Sequence, residues 1–131
     1  MIGYPKLYEA LETGLKPNKN LPVDLWSDAN MFIPKSTGSS EYGQYRTERT
    51  PHAREIMRCL SDSHPCRRVI AMVASQMFKT QICLNWLGTI IDQSPSNFIL
   101  SMPTGKLQKR IGLRFDKVVH DVPVLKEKVA K

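Results

Sequence analysis

At 131 residues, 41% of them hydrophobic, the chain is the size of one ordinary domain with a modest core. Its formal net charge of +7 is unevenly placed: residues 1–45 hold four basic and five acidic side chains, residues 46–100 seven and four, and residues 101–131 eight and three. Three cysteines in no C-x-x-C pair exclude a disulfide framework, and no apolar run is long enough for a signal peptide or a membrane span, which places the chain in the cytoplasm of a host cell.

In chain order, Pro5, Pro17, Pro22 and Pro34 break any long element in residues 1–45, and K-P-N-K-N-L-P and P-K-S-T-G-S-S-E-Y-G are loop chemistry. One short helix is expected from about Val23 to Met31, with Leu25 and Trp26 on its apolar side; the rest reads as an irregular arm. Thr50 followed by Pro51 predicts a helix start, the hydroxyl acting as N-cap and proline taking the first helical position. Ala53, Ile56, Met57 and Leu60 then recur at helical spacing, and S-D-S-H-P-C ends the helix. Val69–Ala74 is a continuous apolar run, predicted as a strand buried on both faces. After S-Q-M-F-K-T an apolar helix is expected over Gln81–Ile91, then a loop, then a second buried strand at Phe98–Met102. Thr104 is the expected cap of a last helix, Gly105–Val119. Strands alternating with crossover helices predict a parallel α/β sheet.

Three groups of residues carry chemistry. Lys79 and Thr80 stand between an expected strand and an expected helix, where P-loop proteins place the lysine that reaches outer phosphates and the hydroxyl that binds Mg²⁺. An ordinary solvated helix start has the same two residues. On the last expected helix Leu107, Ile111, Phe115 and Val118 share one face, while Lys106, Arg110, Arg114 and Lys117 share another. That basic face suits a nucleic-acid backbone, or is simply solvated over a core stripe. Tyr45, Arg46, Arg49, His52, Arg54 and Arg58, with Arg67 and Arg68 beyond, are a third group able to hold a phosphate, stack on a base or lie in solvent. Cys59, His64 and Cys66 fit no paired zinc pattern.

The ordered series Y-R-T-E-R-T-P-H-A-R-E-I-M, L-S-D, V-I-A-M-V-A-S-Q-M-F-K-T-Q, L-N-W-L-G, I-D-Q-S-P, M-P-T and L-R-F-D-K-V-V-H-D-V-P-V-L resembles the lambda-like large terminase subunits of tailed phages, over roughly residues 21–130. The resemblance implies an incomplete P-loop NTPase-like parallel sheet with flanking helices, preceded by the arm. It divides the chain into an arm at 1–45, a possible small-subunit contact, and the first part of an ATPase core at 46–131, with a Walker A-like loop at 74–80. The Walker B acids and the nuclease carboxylates would lie beyond residue 131. It implies ATP and Mg²⁺ as cofactors, with Ser75, Gln76, Met77 and Phe78 as the loop, Lys79 on the phosphates, Thr80 on Mg²⁺, and Arg46 and Arg49 on the element near the adenine. It also implies double-stranded DNA, a small terminase subunit and the portal as partners of the intact, prophage- or phage-encoded protein. Two positions depart from the pattern: Phe78 stands where the family has glycine, and Ala53 where it has glutamine. Three readings follow: an ATPase segment inactive on its own, a stand-alone module binding DNA or a protein, and an inactive remnant. A half-sheet with an uncovered edge also predicts self-association or a partner.

Overall fold

The computed structural model describes residues 5–17, 20–35 and 41–129. Residues 18–19 and 36–40, within the two expected N-terminal loops, lie outside the described residues. Among the described residues the elements are six helices, α1 (Pro5–Leu15), α2 (Val23–Asn30), α3 (Pro51–Cys59), α4 (Lys79–Gln93), α5 (Gly105–Asp121) and α6 (Pro123–Lys128), with a 3-10 turn at Thr47–Arg49. Two short strands, β1 (Phe32–Ile33) and β2 (Gly43–Gln44), pair antiparallel with Phe32 opposite Gln44 and Ile33 opposite Gly43. Gly43 has φ near +107°, a conformation that side-chain-bearing residues rarely adopt.

The segment read as an arm with one short helix holds that helix, α2, and a further one, α1, and α2 is central. Val23 and Trp26 of α2 pack with Met31, Tyr45, Ala53, Met57, Ile82, Leu84, Val118, Val122 and Leu125 in one buried cluster. Fully burying Met31, Met57 or Leu125 contributes about 1.5–3 kcal/mol each. The polar ties are equally specific. The Trp26 indole Nε1 donates to Asp92 Oδ2 at 2.7 Å, and Lys128 Nζ pairs with Asp92 Oδ1 at 2.7 Å, so one carboxylate joins α2, α4 and α6. The Gln93 side chain accepts from the Leu21 amide at 2.6 Å and donates to its carbonyl at 3.1 Å. Asp28 accepts from the amide and the hydroxyl of Thr47.

Helix α2 falls close to the expected span, α3 begins at Pro51, and α4 and α5 include the spans read for them. Helix α6, opened by Pro123, was not expected. Thr50 does not cap α3 through its hydroxyl, which meets the buried Tyr45 hydroxyl at 3.1 Å instead; its carbonyl accepts the Ala53 amide. The predicted parallel sheet is not formed. Val69–Ala74 and Phe98–Met102 belong to no helix or strand, and Ile70, Met72 and Ile99 stand 80%, 94% and 91% exposed. A strand buried on both faces needs neighbours along its edges and layers above and below it. Neither run has that cover among the described residues.

Candidate phosphate site at the start of α4

The run from Val69 turns at Ser75–Gln76 and enters α4 at Lys79. Gln76 and Phe78 have φ of 62° and 55°, in the left-handed region, with Met77 between them outside it. Such residues cost roughly 1–2 kcal/mol each and persist where the surroundings dictate them. Backbone of alternating hand turns successive amides to one side, the geometry of an anion-binding nest. Phe78 is thus the N-cap of α4 in the conformation for which a glycine is ordinarily selected. No side chain caps α4, which leaves first-turn amides and the positive end of the helix dipole to solvent or a ligand. Lys79 Nζ reaches back to the Val73 carbonyl at 3.3 Å, closing the loop on itself.

The loop forms one wall of a cavity of about 600 Å³. Gln76, Met77, Phe78, Lys79 and Thr80 line it with Gln81 and Leu84 of α4, Phe32, Ile33 and Pro34 line it from β1, and Arg114, Lys117 and Val118 line it from α5. The lining contains three cations and no carboxylate. A second cavity of about 120 Å³ adjoins it, sharing Ile33 and Phe78 and bounded also by Tyr45, Arg46, Arg49 and Thr50. Arg49 is ion-paired with Glu41 there, and the Phe78 ring lies 6.4 Å from that of His52. Burial pushes the Tyr45 phenol above its ordinary pKa, against a smaller opposing effect of its bond to Thr50.

The sequence-predicted residues divide accordingly. Gln76 through Thr80 share one cavity, while Ser75 sits in the turn outside its wall. Arg46 and Arg49 bound the neighbouring cavity. Of the basic face of α5, Arg114 and Lys117 line the cavity that the loop also lines; Lys106 and Arg110 are exposed nearer the N-terminal end of the helix. Arg58 is committed elsewhere, its Nε 3.0 Å from the buried Asp24 carboxylate. The contribution of Phe32–Pro34 was missed, because nothing in the spacing ties those residues to a loop more than forty positions away. Among the described residues no group of three or more His, Cys, Asp or Glu side chains is placed to hold a metal ion, and no helix is long and apolar enough to cross a membrane.

A carboxylate-free, cation-lined cavity where a tight loop enters a helix is an arrangement suited to phosphate-bearing ligands. The family model of the phage terminase large subunit gpA, ATPase domain, matches residues 39–131, well over half the chain, and the chain belongs to that family. Comparison with curated proteins gave no match, and comparison with solved structures gave none.

Proposed function

We propose that the chain is the N-terminal part of a lambda-like DNA-packaging large terminase subunit and that the α4 cavity takes the phosphates of ATP. In the intact protein this fold would be a P-loop NTPase-like core driving double-stranded DNA into a procapsid. The observation that carries the reading is the position of Lys79 and Thr80 in the first turn of α4, on the wall of a cavity without carboxylates. Lys79 would exchange its bond to the Val73 carbonyl for a phosphate, and the loop amides with the α4 N-terminus would supply the remaining donors. The Thr80 hydroxyl fits one ligand position of Mg²⁺, which would bring charge neutralisation at the outer phosphates. Arg46, Arg49 and Tyr45 place a smaller cavity beside Phe78, suited to the nucleoside end. With no carboxylate in the wall there is no carboxylate base there to deprotonate water, so the activity proposed for these residues is binding rather than hydrolysis.

Helix α1 has no buried residue, and Leu7, Leu11 and Leu15 lie exposed at four-residue spacing. That apolar stripe supports the arm as a contact for the small terminase subunit. The family reading carries the portal as a further partner. A second reading, a stand-alone or remnant module held by a protein or DNA partner, is favoured by the uncovered Ile70, Met72 and Ile99. Calorimetry with Mg-ATP separates the two readings. Binding by the chain that is lost in Lys79→Ala supports the phosphate site; absence of heat in both proteins favours the partner-binding piece.

A further inference from the structure

The basic face of α5 is a single stripe on the helix, yet its two ends have different surroundings. Helix α5 packs on α4, α6 and β1, and its burial rises along its length, from a partly exposed Leu107 to a buried Val118. The C-terminal end of the stripe therefore meets the same space as the loop at 76–80, and Arg114 and Lys117 line one cavity with Lys79. Both side chains are exposed to the cavity, and neither has an ion-pair partner among the described residues. Unpaired cations around a common space repel one another, and a ligand of several negative charges removes that repulsion. A duplex backbone is convex and would meet the exposed N-terminal end, at Lys106 and Arg110, more readily than a concavity that Phe32, Ile33 and Pro34 also line.

We propose that Arg114 and Lys117 are phosphate-chain ligands of the α4 site, supplied in cis by α5, and that they set its preference for a triphosphate over a monophosphate. The inference rests on the reading of the loop as a phosphate site. Lys79 offers one positive charge, whereas a triphosphate carries several; the guanidinium of Arg114 adds a planar fork and Lys117 a point charge to the same cavity. The stripe on α5 is thereby split: its inner pair reads phosphate and its outer pair stays free for other anions.

The test is calorimetric titration of the 131-residue chain with Mg-ATP, inorganic triphosphate and AMP. The proteins compared are wild type, Lys79→Ala, Arg114→Gln, Lys117→Gln and the double variant Lys106→Gln/Arg110→Gln, each checked for unchanged helical circular dichroism. Arg114→Gln and Lys117→Gln are each expected to weaken Mg-ATP and inorganic triphosphate about tenfold, with AMP changed by less than about twofold. The outer double variant is expected to stay within about twofold of wild type for all three ligands. Triphosphate binding lost in Lys79→Ala but unchanged in Arg114→Gln and Lys117→Gln overturns the role of α5 while leaving the phosphate site in place. Failure of the wild type to bind either triphosphate overturns the site itself, and this assignment with it.

Discussion

At the scale of single residues, Gly88 shows how closely the core is fitted. A Cβ there would stand 2.6 Å and 2.9 Å from two carbons of the Trp26 ring and 3.4 Å from Leu125 Cδ1. The ring is 1% exposed and its Nε1 is held by Asp92, so it has little freedom to retreat. Gly88→Ala is therefore expected to lose about 1–3 kcal/mol, read from urea denaturation midpoints, despite alanine's better helix propensity. The run L-N-W-L-G was legible as helix, but the need for glycine was not, since the clash comes from a side chain far away in sequence. Phe78 balances two effects. Removing its left-handed strain returns roughly 1 kcal/mol, and losing its partly buried ring costs a similar amount. Phe78→Gly should leave stability within about 1 kcal/mol while strengthening triphosphate binding, because the loop amides gain access. Tyr45 is pushed up by burial from an ordinary value near 10. Its neutral form is favoured by folding, so the contribution is complete below pH 10 and is lost as pH rises through the raised value. Cys83, raised by burial from 9.0, acts with the same sign. The alkaline fall in denaturation midpoint should thus be shallower in Tyr45→Phe than in wild type; equal slopes would remove Tyr45 as its source.

At the scale of elements, the helices follow from local signals and the sheet does not. Thr104 has extended backbone dihedrals and its hydroxyl accepts the Leu107 amide at 3.4 Å, so the cap read for this helix is present where the sequence placed it. V-I-A-M-V-A and F-I-L-S-M were read as buried strands and form none, because apolar runs do not report what covers them. Phe98 packs edge-on to Trp86 at 5.2 Å between ring centres, while Ile99 next to it faces solvent. Two methionines separate the alternatives. Met57 is fully buried, and Met57→Ala should cost about 2–5 kcal/mol. Met72 is 94% exposed, and Met72→Ser should change stability by less than about 0.5 kcal/mol. Equal losses at the two positions would mean that Val69–Ala74 is a buried strand in solution.

At the scale of the whole molecule, the core depends on residues that composition assigned to a poorly patterned region. Val23, Trp26, Met31 and Tyr45 supply a large part of the buried cluster. The links from Leu21 to Gln93, from the Val23 amide to Ser61 and from Trp26 to Asp92 bind α2 to α3 and α4. The periodicity of a short helix shows an apolar side but not its partner, so this docking was beyond reach of the sequence, as was the wall that Phe32–Pro34 give the candidate site. Helix α1 differs, with every described side chain exposed. Two truncations should behave oppositely. Removing residues 1–16 deletes no side chain of the buried cluster among the described residues and is expected to shift unfolding by less than about 1 kcal/mol, judged by urea titration of tryptophan fluorescence. Removing residues 1–45 deletes Val23, Trp26, Met31 and Tyr45 from the buried cluster, where each lost large side chain costs about 2–5 kcal/mol; those losses together are as large as the roughly 5–15 kcal/mol that holds a domain folded. The shorter chain should show no cooperative transition by circular dichroism. A sharp two-state transition from it would mean that residues 46–131 fold alone, with α2 an accessory rather than part of the core.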